Sequence, residues 1–345
     1  MTVRAGHIRF LNCYPLYYGL EHRGMLEEER RMDRPGRPGI EFVPGVPTEL
    51  NQWLVSGDID VGLISSIAYA RNHRKLCISR HVSISSLGAV DSIQLVTRKP
   101  LEAIKSIALT MQSATSVALL KTIFKLRFQQ EVAYANLTES VAQALEHCDA
   151  VLLIGDQGLE ALYFPEPGTV CHDLGALWTE WTGLPMVFAV WAAREEFARS
   201  SGPELVAYER ELVACLDYGR EHLPEVVESA LGHYRFDRES LARYFEVLHY
   251  GFGEDYQKGL RRFYELAYQA GELADVPELR FIDQMAANGG GAAMSGAPAG
   301  NAGAPGEVAA GVVAGAGQAG AAGQAEAATA AGQAGAATAA GPSVP

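Results

Sequence analysis

The stretch AVLLIGDQGL, residues 150–159, decides the fold. Its first five residues are an unbroken apolar run, the pattern of a strand buried on both faces, and Gly155 and Asp156 then open a stretch of helical character. Four places upstream repeat this design or its loop equivalent. In residues 7–16, HIRFLNCYPL, a short strand runs into Asn12, with Pro15 near the first turn of a helix. Residues 58–68, DIDVGLISSIA, are an apolar strand stopping at Ser65 and Ser66, both good helix N-caps. Residues 82–96 offer two short strands around a turn at Leu87 and Gly88, and residues 106–120 are a strand breaking at Ser113, before a helix capped by Ser113 or Thr115. Strands alternating with helices predict an α/β fold, and strand-to-helix turns in such sheets gather at the carboxyl ends of the strands, where ligands bind.

After Arg194 the pattern changes to long helical segments, at residues 205–223, 238–245 and 256–270, with Pro224 opening a helix between the first two. The last 60 residues, 286–345, contain 25 Ala and 15 Gly, and their only charges are Glu307 and Glu326. So little apolar bulk cannot offset the entropy of ordering, and a disordered tail is expected. The remaining 285 residues carry 28 basic and 39 acidic side chains, a net charge of 28 − 39 = −11. That length suits two domains of ordinary size. The acidic balance argues against nucleic acid as a partner, and small basic groups such as Arg71, Arg74 and Lys75 read as solvated helix faces.

No stretch approaches the roughly 18 apolar residues of a membrane span, and the N-terminus lacks the apolar core of a secretory signal, so a cytoplasmic protein is expected. Five scattered cysteines without CxxC spacing fit reduced thiols, and no Cys/His pair at ligand spacing indicates a metal. No Walker loop, GxGxxG, HExxH or GxSxG is present. His7 and His81 read as structural histidines, and Cys13 as a packing thiol. Asp156 reads first as an N-cap and second as a general base.

The turns matter collectively. Residues 12–15, 64–68, 83–92, 110–117 and 154–158 hold no Lys, Arg or His and are rich in Ser, Thr, Asn and Gly. A site built from them would hold an anion by backbone N–H groups and hydroxyls at helix N-termini. Each hydroxyl taken alone is adequately explained as a helix cap.

The segments FLNCYPL at 10–16, SATSVALLKTIF at 113–124, LLIGD at 152–156 and HDLGALWTEWTGLPMVFAVWAAR at 172–194 resemble, in order and spacing, the chorismate dehydratase family of menaquinone biosynthesis, which opens the futalosine route. The resemblance covers residues 3–285, with one departure at Phe10, where many relatives have Tyr. It implies a two-lobed type II periplasmic-binding-protein-like fold with a ligand cleft and crossovers near residues 95–98 and 186–191. The first lobe would comprise 1–97 and the mainly helical 190–285, the second 98–189, with 286–345 outside both. It also implies loss of water from chorismate to give 3-[(1-carboxyvinyl)oxy]benzoate, with no metal or organic cofactor.

The family's functional Asn and Ser map onto Asn12 and Ser92. Neither is a credible base near neutral pH, so the implied chemistry is positioning, with the substrate's enolpyruvyl carboxylate taking the C3 proton. Ser65, Ser66, Ser113, Thr115 and Ser116, with Gly155 and Asp156, are the expected substrate contacts. Two alternatives stand beside this reading. A sister enzyme making 1,4-dihydroxy-6-naphthoate would be expected to use a histidine base, which the turns lack. A non-catalytic small-anion binding protein would be expected to carry an export signal.

Overall fold

The computed structural model describes residues 2–26 and 39–289. Ten strands form two five-stranded sheets. The first contains β1 (Thr2–His7), β2 (Gly39–Pro44), β3 (Val61–Ser65), β4 (Leu76–Ser86) and β10 (Met186–Arg194), in the order β2-β1-β3-β10-β4. The second contains β5 (Ile93–Thr97), β6 (Ser106–Leu109), β7 (Ala133–Asn136), β8 (Ala150–Ile154) and β9 (Val170–Asp173), in the order β7-β6-β8-β5-β9. Every residue of β3, β5 and β8 is buried; β8 is accordingly a continuous apolar run, while β5 buries Gln94 and Thr97 through hydrogen bonds to Asp91 O and Asp149 O. β10 runs antiparallel to both β3 and β4, and β5 antiparallel to both β8 and β9, while the remaining pairs are parallel. This is a two-lobed α/β architecture.

The chain leaves the first sheet after Ser86 and enters the second at Ile93, then returns between Thr182 and Met186. The lobe limits expected at 97/98 and 189/190 therefore fall at the end of β5 and inside β10. β5 is bonded on both edges within the second sheet and β10 on both edges within the first, so both passages precede those limits.

Each sheet sends short helices from its strand ends. In the first lobe a 3₁₀ turn (Leu11–Cys13) leads to α1 (Tyr14–His22), with Pro15 in its first turn. α2 (Pro47–Ser56) and α3 (Ser66–Asn72) follow β2 and β3. The second lobe contributes α4 (Ala114–Thr122), α5 (Val141–His147), α6 (Gly155–Tyr163) and α7 (Leu174–Thr182). The C-terminal region is helical as its periodicity predicts: α8 (Glu195–Ser200), α9 (Gly202–Glu221), α10 (Leu223–Leu231, with Pro224 in its first turn), α11 (Arg238–Val247), α12 (Glu254–Ala270) and α13 (Ile282–Gly289). α12 ties to both lobes, because Phe263 meets Trp178 of α7 edge to face at 6.0 Å and the Tyr264 hydroxyl donates to Ser66 O at 2.7 Å.

Residues 286–289, expected to start the Ala/Gly tail, complete α13; the rest of the tail lies outside the described residues. No helix among the described residues is long and apolar enough to cross a membrane.

Candidate functional site

A cavity open to solvent lies between the sheets and is walled by both lobes. Ile8, Leu63, Ile84, Val90, Ile93, Ile154 and Phe188 make its floor apolar, and Asn12, Ser65, Ser92, Gln112, Ser113 and Ser116 supply its polar groups. Among the described residues, no lining side chain is charged and none is a histidine. The five turns singled out in the sequence all reach this one space.

Asn12 sits in the 3₁₀ turn that β1 feeds. Its backbone carbonyl accepts the Tyr250 hydroxyl at 2.9 Å, while its side-chain Oδ1 is buried without a partner. An unpaired buried acceptor costs about 1–3 kcal/mol, and Asn12 is one of the residues lining the cavity. Ser65 ends β3 in the N-cap position of α3 but makes no capping bond; instead the Asn51 amide receives from Ser65 N at 3.0 Å and reaches Ser65 Oγ at 3.4 Å. Ser113 does cap α4, its Oγ accepting from Ser116 N at 3.2 Å and donating to Ser116 Oγ at 2.8 Å.

Ser92, 3% exposed, begins the second lobe. Its Oγ has a long contact of 3.4 Å to Val90 O and also interacts with the Tyr244 hydroxyl. Beside it the buried Tyr244 hydroxyl lacks a well-formed hydrogen bond, and burial pushes its pKa far up, so it remains a neutral phenol.

α6 approaches the cavity in an unusual way. Gly155 turns the chain with φ +59°, and the helix starts there with no side-chain cap at Ile154; both residues line the cavity. Asp156 is therefore not the N-cap, because the turn at Gly155 has already placed it within the first helical turn. Its Oδ1 instead crosses the lobes to accept from Leu11 N at 3.4 Å, and burial raises its pKa. Gly158 permits α6 to lie on the backbone of Ser92, where an added Cβ would stand 2.2 Å from Ser92 O.

Ser66, Thr115 and Asp156 stand behind the lining. Ser66 and Thr115 are fully buried; their hydroxyls lie 3.2 Å apart, Ser66 Oγ donates to Val187 O at 2.8 Å, and Thr115 Oγ1 accepts from Ile67 N at 3.1 Å. They join α3 to α4, and thus lobe to lobe. His7 and His81 are outside the lining too. Burial lowers the His7 pKa to about 4, and its ring packs 4.2 Å from Tyr17. Cys13 is buried, with its thiol pushed up to about 12, which suits packing and not nucleophilic chemistry.

Sequence reasoning passed over Gln112, Phe188 and the supporting Asn51. Gln112 stood inside a singled-out turn, whereas Phe188 and Asn51 had no local signal at all.

The two lobes and the cleft between them give the chain a periplasmic-binding-protein-like fold. A solved Candida albicans protein described as having the generic periplasmic binding protein fold matches with TM-score 0.59 and 11% identity, over 83% of this chain and 94% of its own. A solved protein of Archaeoglobus fulgidus matches with TM-score 0.62 and 23% identity, over 79% of this chain and 98% of its own. The chain belongs to the menaquinone biosynthesis family, whose model matches residues 3–269. The chorismate dehydratase of Thermus thermophilus is 32% identical over 246 residues, which is 66% of this chain and 86% of that protein. The 1,4-dihydroxy-6-naphtoate synthase of the same organism is 26% identical over 298 residues, 81% of this chain and 99% of that protein.

Proposed function

We propose that the protein is a chorismate dehydratase, a hydro-lyase that converts chorismate to 3-[(1-carboxyvinyl)oxy]benzoate and water in the cytoplasm, opening the futalosine route to menaquinone. The observation that carries the reading is the uncharged cavity with the unpartnered Asn12 Oδ1 on its wall, in a chain similar to a chorismate dehydratase.

In the reaction the C3–H bond breaks, its electrons form the C3–C4 double bond, and hydroxide leaves C4 and takes up a proton, so the ring becomes aromatic. C3 is conjugated through a ring double bond with the ring carboxylate, onto which negative charge spreads as the proton departs. N–H donors at a helix start then stabilise the transition state more than the ground state. The N-termini of α4 and α6 border the cavity and are the donors in this account.

Asn12 and Ser92 orient the substrate rather than take its proton, because neither an amide nor an unassisted hydroxyl is a useful base. The enolpyruvyl carboxylate, attached at C3 through oxygen, serves as the internal base. The synthase reading has lower support, since no histidine lines the cavity.

The test is to incubate the purified protein with chorismate and follow loss of the diene absorbance with formation of the enolpyruvyl benzoate. Absence of both from folded protein refutes the proposal. An Asn12→Asp variant tests the internal base: activity should fall, and retained or higher turnover would mean that a side-chain base acts here.

A further inference from the structure

Ser92 follows a backbone feature that requires support. Its N–H donates to Val90 O at 2.7 Å, and the residue between them, Asp91, has φ +60°. A three-residue turn closed around a positive φ is the rare, strained form of the γ-turn. Such strain persists only where the surroundings over-determine it.

Here they do so from two directions. From the C-terminal helices, Arg243 of α11 reaches the buried Asp91 carboxylate with Nε at 2.9 Å and a terminal nitrogen at 3.4 Å. From the second lobe, the Asp173 carboxylate accepts the N–H groups of Val90 at 3.1 Å and Asp91 at 2.7 Å while also capping α7 through Ala176 N at 3.0 Å. Gln94 closes the arrangement, with Nε2 donating to Asp91 O at 2.8 Å and to Asp173 Oδ2 at 3.1 Å. None of these three carboxylate or guanidinium groups lines the cavity, so their effect on it runs through Ser92.

We propose that Asp91, Arg243 and Asp173 are positioning residues that hold the strained turn and thereby aim Ser92 into the cavity. The proposal rests on the reading of Ser92 as part of a dehydratase site. Its logic is that a reacting group displaced by a fraction of an ångström loses transition-state stabilisation while most ground-state binding survives. Arg243 is the place to test it, because its side chain is 59% exposed and its removal leaves no buried cavity.

In the full-length protein, Arg243→Ala should lower kcat about tenfold to a hundredfold with KM within about twofold. Arg243→Lys should recover only part of the loss, since an ammonium cannot reproduce the two-nitrogen contact. Guanidinium ion at non-denaturing concentration should raise kcat of the Ala variant and not of the wild type. Amide hydrogen exchange gives a readout independent of turnover: the Ser92 amide should exchange at least about tenfold faster in Arg243→Ala, with β8 unchanged. A folded Arg243→Ala protein with wild-type kcat, or with wild-type exchange across residues 90–94, overturns the proposal. A wild-type protein inactive toward chorismate would instead refute the functional reading, and the exchange measurement would still decide whether the cradle holds the turn.

Discussion

Two sets of hydroxyls come from the strand-to-helix turns at 65–66 and 113–116, joined in the first set by Ser92 from the crossover before β5, and their surroundings differ. Ser65, Ser92, Ser113 and Ser116 line the cavity, whereas Ser66 and Thr115 are spent on each other, on Val187 O and on Ile67 N. The first set faces the open cavity. The second fastens α3 to α4, so that the first set stays registered across two lobes. A site for an anion without any cation needs this division, because backbone and hydroxyl donors are effective only when held in place before the ligand arrives.

The comparison breaks most severely at Gly158. Gly158→Ala puts a Cβ 2.2 Å from Ser92 O, so either Ser92 or the whole of α6 must move, and turnover of chorismate should fall about a hundredfold or more. On the fastening side, Ser66→Ala and Thr115→Val should each lower stability by about 1–2 kcal/mol in urea titration, since each leaves a buried partner unpaired. The double variant should cost less than the sum of the two, because both remove one shared contact.

His7 provides a pH test away from the site. Its pKa in the folded protein is about 4 against an ordinary 6.5, so between these values the unfolded chain binds the proton more readily. Stability is therefore full above about pH 6.5 and falls as the pH drops toward 4. His7→Gln should flatten that part of the acid-denaturation curve. The smallest effect concerns salt: with no charged side chain on the cavity wall and a net charge of −13 on the chain, KM for chorismate should stay level or fall slightly as salt rises. A steep rise in KM would reveal an ion pair that this account omits.

The sequence made strands legible where burial on both faces leaves an unbroken apolar run, as at residues 150–154. It made the turns legible because Ser, Asn and Gly break such runs. What it could not separate was Ser65 from Ser66, or Ser116 from Thr115, since adjacent hydroxyls differ only in which way the helix start turns them. The capping reading of Asp156 failed for a similar local reason: the helix begins at Gly155, with Ile154 in the N-cap position, two residues ahead of where an Asp156 cap would start it. The support of Ser92 was hidden altogether, because Asp91 meets Arg243 across 152 positions and Asp173 across 82, distances at which spacing carries no signal.

The claim that the uncharged cavity is where chorismate loses water is tested most directly by assaying wild type and Asn12→Ala side by side, with circular dichroism and thermal melts showing both folded. The account predicts conversion of chorismate to the enolpyruvyl benzoate by the wild type and at least about a hundredfold lower kcat/KM in the variant. Equal turnover by the two proteins would contradict it.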